Sequence, residues 1–193
     1  MKITTIRHGE TDWNRARRPQ GSRDIPLNAQ GIVQAKCLAT RLAQEPCDII
    51  YTSDLSRASE TATQINVYHQ VNIVRTDQLR ENSFGPFEGQ VVDDPETLAA
   101  FVSFMDAHAP AYYARLQTYL TELLSCGHEH VFIVAHFGTI RGIICGLLGL
   151  DVSEREQFYI GNTAIHVFEQ QNDGSFVMTI ENDTQHLRNL KTT

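Results

Sequence analysis

The stretch Ile3-Thr4-Thr5-Ile6-Arg7-His8-Gly9-Glu10-Thr11 decides the fold. A short apolar β pattern runs directly into Arg-His-Gly, so a histidine arrives at the end of a buried strand beside a permanent positive charge. The Arg7 guanidinium offers a planar fork of donors that suits a phosphoryl group. A neutral His8 imidazole in that place is a nucleophile able to take up a phosphoryl group covalently. Gly9 lets the backbone turn sharply and approach closely. The rest of the chain is expected to complete a phosphate pocket around His8.

Other strand ends repeat the pattern. Val131-Phe132-Ile133-Val134-Ala135 is a continuous apolar run, as a strand buried on both faces requires. It ends in His136-Phe137-Gly138-Thr139, with Ile140, Ile143, Ile144, Leu147 and Leu148 following at helical spacing. Asp48-Ile49-Ile50-Tyr51-Thr52 reads as a strand, with Ser53 as the cap of a helix that carries Leu55, Ala58, Ala62 and Ile65 on its buried face. Arg57 falls in that helix's first turn, where it opposes the macrodipole. It is either an anion holder beside backbone N–H groups or a surface arginine in an ion pair. Val71-Asn72-Ile73-Val74 is a third short strand, leading to the Gly/Pro/Phe-rich loop that holds Glu81, the candidate acid, and Glu88, a loop anchor. A carboxyl at Glu81 is pulled up in pKa by a bound phosphate and down by the arginines. In open α/β sheets ligands gather outside the carboxyl ends of the strands, and His8, Arg57, Glu81 and His136 all follow strands.

The remaining segments are scaffold. Asn28 caps a helix with Ile32, Ala35, Leu38, Ala39 and Leu42 on one face, ending near Ala43. A helical pattern from Pro95 to about Met105 is expected to break at Pro110. A separate amphipathic helix then carries Tyr113, Leu116, Leu120, Leu123 and Leu124 and ends before Gly127. Residues 91–110 are a candidate lid or specificity insert. Ala164–Phe168 and Phe176–Ile180, joined by Asn172-Asp173-Gly174-Ser175, read as an antiparallel hairpin at the sheet edge. His128 and His130 have the spacing of a metal pair, but no third ligand is nearby and they read as a solvated turn. Trp13 is expected to pack beneath the first loop.

Composition narrows the function. The 193 residues carry 41% hydrophobic and 20% charged side chains, as an ordinary globular chain does, and are taken as one domain over 1–193. A net charge of -7 without a basic run argues against nucleic acid. No apolar run reaches the ~20 residues of a membrane span. Cys37, Cys47, Cys126 and Cys145 lack zinc or disulfide spacing, and no secretion signal precedes them, so a cytoplasmic location is expected.

These blocks together resemble the histidine phosphatase superfamily, in its phosphoglycerate mutase-like branch. The resemblance runs through Arg7-His8-Gly9-Glu10-Thr11 with Asn14, and Asp24 to Gly31 with Gln34-Ala35. It continues through Ser53 to Ala58 with Thr61-Ala62, Leu79-Arg80-Glu81 with Phe84-Gly85 and Glu88-Gly89, and His136-Phe137-Gly138. It implies a three-layer α/β/α sandwich with a mostly parallel central sheet and an antiparallel edge strand. It further implies a phosphohistidine on His8, phosphoryl binding by Arg7, Arg57 and His136, and Glu81 as the proton donor to the leaving oxygen. Asn14 would hold the phosphate, and Gln20, Gly21, Phe137 and Gly138 would line the substrate pocket. No metal or cofactor is implied. Phe137 stands where relatives often carry a small residue, so the pocket wall is expected to be reshaped. The short segment after Glu81 is similar to compact phosphatase members, such as α-ribazole phosphatase and broad-specificity phosphatases, rather than to true mutases. The expected activity is metal-independent hydrolysis of a small phosphorylated metabolite by a monomer or homodimer. A phosphoglycerate mutase is the alternative, followed by a non-catalytic phospholigand-binding protein.

Overall fold

Strand β1 (Lys2–Arg7) and strand β4 (His130–Ala135) run parallel at the centre of a six-stranded sheet, in the order β3-β2-β4-β1-β5-β6. The structure is a computed structural model and describes residues 1–188 and 190. β2 (Ile49–Ser53) and β3 (Asn72–Thr76) extend the parallel part, while β5 (Ile165–Gln170) and β6 (Phe176–Asp183) are antiparallel. The antiparallel edge is therefore the expected hairpin, a pair of strands.

Alternation along each strand sends side chains to two helical layers. Ile50, Phe132 and Val134 meet Leu38 and Leu42 of α2 (Ala29–Leu42) and Ala58, Ala62 and Ile65 of α3 (Ser56–His69). Ile49, Tyr51, Val131 and Ile133 meet Leu120 and Leu123 of α4 (Pro95–Leu124) and Ile140, Ile143 and Ile144 of α5 (Phe137–Leu148). This is the expected α/β/α sandwich. The short helix α1 (Asp12–Arg15) closes the loop after β1, with Thr11 as its cap.

Three expectations are corrected. Pro110 does not break a helix: α4 runs unbroken for 30 residues with Pro110 inside it. Tyr112, Tyr113, Leu116 and Leu120 are buried just beyond the proline, and their packing outweighs the missing hydrogen bond at an exposed position. Ser53 does not cap α3. It ends β2 and its Oγ accepts from the Leu55 N–H, and Leu55 stands at the cap with no side-chain bond. His130 begins β4 instead of lying in a turn.

Two glycines carry the loop geometry. A Cβ on Gly31 would collide with the Glu10 carbonyl, which explains a glycine in the first turn of α2 behind its Asn28 cap. Gly174 takes φ +87° in the β5–β6 turn.

His166 in β5 is fully buried and neither ring nitrogen has a partner. Burial pushes its pKa down to about 4. It folds neutral, so its contribution to stability is complete above 6.5 and is lost as pH falls toward 4. Between about pH 7 and pH 5 this residue alone is expected to lower the unfolding free energy by about 2 kcal/mol. Urea midpoints at the two pH values measure it. The His166→Phe variant should show a flatter pH dependence, and an unchanged one would contradict a neutral buried His166.

Candidate active site

The β1–β4 register sets Arg7 opposite Ala135, so His8 and His136 leave the sheet side by side. Their ring centroids are 5.2 Å apart. Both sit at the floor of a cavity of about 380 Å³ that Arg7, Asn14, Gln20, Gly21, Arg57, Glu81, Phe137 and Gly138 also line. Every site residue read from the sequence thus reaches one cavity.

The two histidines present opposite faces of imidazole chemistry. His8 Nδ1 lies 2.7 Å from the Gly9 carbonyl, which can only accept. The proton therefore sits on Nδ1, and Nε2 keeps its lone pair. His136 Nδ1 lies 3.2 Å from Arg57 Nε, which can only donate. Its proton therefore sits on Nε2, which is buried with no partner. Burial, followed by the charges of Arg57 and Arg7, pushes the His8 pKa well below its ordinary value. Burial, then Arg57, His8 and Arg7, does the same to His136. One neutral ring offers a lone pair and its neighbour offers an N–H.

Arg57 is fully buried and is not a surface ion-pair residue. Beyond His136 it donates from Nη1 to the Arg23 carbonyl at 2.6 Å and from Nη2 to the Gly21 carbonyl at 2.8 Å. Gly21 takes φ +53°, and a Cβ there would run into the Glu88 carboxylate. Glu88 is the expected loop anchor: its Oε1 accepts from the N–H groups of Ser22 and Phe84, and its Oε2 from Arg23 Nε. Arg7 donates from Nη1 to the Ile160 carbonyl at 2.7 Å, while its Nε has no partner. Burial lowers both arginines to about 10, so each stays charged at neutral pH.

Glu81 is held by three donors. Its Oε2 accepts from the Gly138 N–H at 2.8 Å, and its Oε1 from the Tyr112 hydroxyl at 2.8 Å and the Asn82 N–H at 3.0 Å. A Cβ on Gly138 would come to 2.6 Å from Glu81 Oε1, so the glycine permits this approach. Thr139 Oγ1 lies 2.8 Å from the Tyr112 hydroxyl and continues the chain. Asn14 does not reach His8 through a direct hydrogen bond. Its Oδ1 accepts from the Thr11 N–H at 3.2 Å and lies 3.4 Å from Asn162 Nδ2. Asn162 in turn donates to the His8 carbonyl at 3.0 Å. Gln20 accepts from the Thr11 hydroxyl at 2.9 Å. Phe137 packs beside two cations, 5.3 Å from Arg7 and 4.2 Å from Arg141. Trp13 packs against Gly89 and does not line the cavity.

Sequence reading missed Tyr112, Thr139, Ile160 and Asn162. Their signal was absent because each acts through one neutral group, from α4, from α5 or from the loop before β5. Among the described residues no three His, Cys, Asp or Glu side chains are grouped to hold a metal ion.

The histidine phosphatase superfamily (branch 1) model matches residues 3–183. The chain belongs to that superfamily. Phosphoserine phosphatase 1 of Hydrogenobacter thermophilus is 30% identical over 200 residues, covering 97% of this chain and 94% of that protein. Phosphoserine phosphatase of Entamoeba histolytica, solved with 3-phosphoglyceric acid, superposes with a TM-score of 0.80 at 32% identity, over 96% of this chain and 98% of that one. An Escherichia coli protein described as a putative α-ribazole-5'-P phosphatase shares the fold, with a TM-score of 0.87 at 23% identity over 95% and 97% of the two chains. This histidine phosphatase superfamily member is a phosphoric monoester hydrolase, and the mutase alternative is not favoured.

Removing the Arg57 guanidinium strands the carbonyls of Gly21 and Arg23 and frees the His136 ring. Arg57→Ala and Arg57→Lys are both expected to lose roughly 2–4 kcal/mol of unfolding free energy in urea titrations. A loss under about 1 kcal/mol in the lysine variant would mean that a single ammonium replaces the fork.

Proposed function

We propose that this enzyme hydrolyses a small phosphorylated metabolite through a phosphohistidine on His8, without a metal. The observation that carries this reading is the pairing of opposite tautomers: His8 with a free Nε2 lone pair and His136 with a free Nε2–H, side by side between two charged arginines. Phosphoserine is among the candidate substrates, because relatives are named for it.

The chemistry follows from the groups present. Arg7, Arg57 and the His136 N–H neutralise the equatorial phosphoryl oxygens, the task that metal ions perform in other phosphoryl transferases. His8 Nε2 attacks phosphorus as the ester P–O bond breaks, and protonated Glu81 gives its proton to the departing oxygen. Water then attacks the phosphohistidine while Glu81 takes its proton. The P–N bond breaks, inorganic phosphate leaves, and His8 recovers its lone pair. The hydrogen bonds from Gly138, Tyr112 and Asn82 hold the carboxyl group at one edge of the cavity throughout. Catalysis in a reducing, cytoplasmic setting is part of the proposal, and the four cysteines are free thiols. Among the described residues no helix is long and apolar enough to cross a membrane.

Phosphate release from a panel of phosphomonoesters in excess EDTA tests the reading. Activity should survive EDTA and fall on the order of 10³-fold or more in His8→Ala. Activity abolished by the chelator would disprove the metal-free route. NMR titration of the His8 ring supplies a second check. With its pKa pushed well below 6.5, the ring should remain neutral as the pH falls through 6.5, and the nucleophile should be lost only at lower pH. A His8 that protonates near 6.5 would contradict a ring kept neutral by burial and by the two guanidiniums.

A further inference from the structure

We propose that the outer half of the cavity is a subsite for an apolar leaving group, so that monophosphates of apolar alcohols or phenols are hydrolysed faster than zwitterionic esters. This rests on the phosphatase reading above and adds the chemical class of the group esterified to phosphate.

The cavity has two unlike ends. Its floor is made of the histidines, the arginines and Glu81, whereas its outer wall is formed by Phe84, Phe101, Val102, Met105, Ala109 and Phe137. That wall is built in advance of any ligand. Phe101 stands edge-on to Phe84 at 5.4 Å and to Phe87 at 5.5 Å, and Phe87 meets Phe104 at 5.7 Å. These contacts fasten the first half of α4 to the loop after Glu81. The segment 91–110, flagged in the sequence as a candidate lid or specificity insert, thus supplies a wall to the chamber. Val102 is 48% exposed in its place on that wall.

The charged groups at the mouth satisfy one another. Arg141 donates to Glu156 at 2.7 Å and to the Phe158 carbonyl at 2.6 Å. Arg155 lies 3.4 Å from Glu156 and 4.0 Å from Asp106. Arg18 donates to the Gly89 carbonyl at 2.9 Å. A substrate ammonium or carboxylate entering here loses water against phenyl rings and a thioether and meets charges that already have partners. A methylene chain gains by leaving water.

The test is kcat/KM for ethyl, butyl and hexyl phosphate, whose leaving alkoxides have nearly equal basicity, together with O-phosphoserine. Wild type, His8→Ala and the double variant Val102→Asn/Met105→Gln are compared. In wild type kcat/KM should rise roughly threefold to fourfold per methylene, and hexyl phosphate should exceed O-phosphoserine. In the double variant the rise should fall below about twofold per methylene. A flat series with turnover that still depends on His8, or O-phosphoserine ahead of hexyl phosphate, would overturn the subsite and leave the phosphatase reading standing. A slope that persists in the double variant would remove the subsite from the α4 wall. Absence of phosphate release from every ester, or release that persists in His8→Ala, would overturn the phosphatase reading and the subsite with it.

Discussion

The guanidinium of Arg57 is the constraint on which the site depends. Its three donor positions are directed to three partners on two segments: the His136 ring at the end of β4 and the carbonyls of Gly21 and Arg23 in the loop after β1. A fully buried cation is expensive to bury unless its hydrogen bonds are satisfied, and here each partner is fixed by the fold. Because an arginine can only donate, the bond to His136 also settles which nitrogen of that ring carries hydrogen. A single side chain therefore positions the loop, orients the second histidine and supplies charge to the phosphate end of the cavity.

His8 owes its tautomer to a different rule. The Gly9 carbonyl can only accept, so the Nδ1 proton is held there and the lone pair is left on the cavity side. Both rings are kept neutral by burial and by the neighbouring guanidiniums. A charged ring at either position would add a third cation to a site that already holds two arginines. The low-dielectric surroundings that keep the histidines neutral also strengthen the pull of Arg7 and Arg57 on an incoming phosphoryl group.

The sequence exposed what depends on local pattern and on residue type. Apolar runs ending in Arg7-His8-Gly9 and in Ala135-His136 announced parallel strands whose carboxyl ends share an edge, and the β1–β4 register then fixed the two histidines as neighbours. Arg57 could not be resolved from spacing alone, because a helix's first turn reads the same whether it faces solvent or a cavity. Pro110 misled for a related reason: propensity is local, while the burial of Tyr112, Tyr113 and Leu116 that keeps α4 continuous comes from tertiary packing. Asn162, Ile160 and Tyr112 were invisible as site residues. They serve through one backbone carbonyl, one amide and one hydroxyl, and such groups occur throughout any chain.

Phe137 lines the cavity and packs against two of its cations. It follows His136 directly and so stands at the start of α5, on the cavity wall. Its ring lies 5.3 Å from Arg7 and 4.2 Å from Arg141, close enough for the aromatic quadrupole to engage both cations. A small residue at this position would take the ring away from both guanidiniums and leave Arg141 with its bonds to Glu156 and to the Phe158 carbonyl. The phenyl ring instead lies against the Arg141 guanidinium. It adds its own apolar surface to that of Phe84, Phe101 and Met105. The same side chain thus packs the start of α5 against Arg7 and Arg141 and, on the proposed reading, lends apolar surface to the leaving-group end of the cavity.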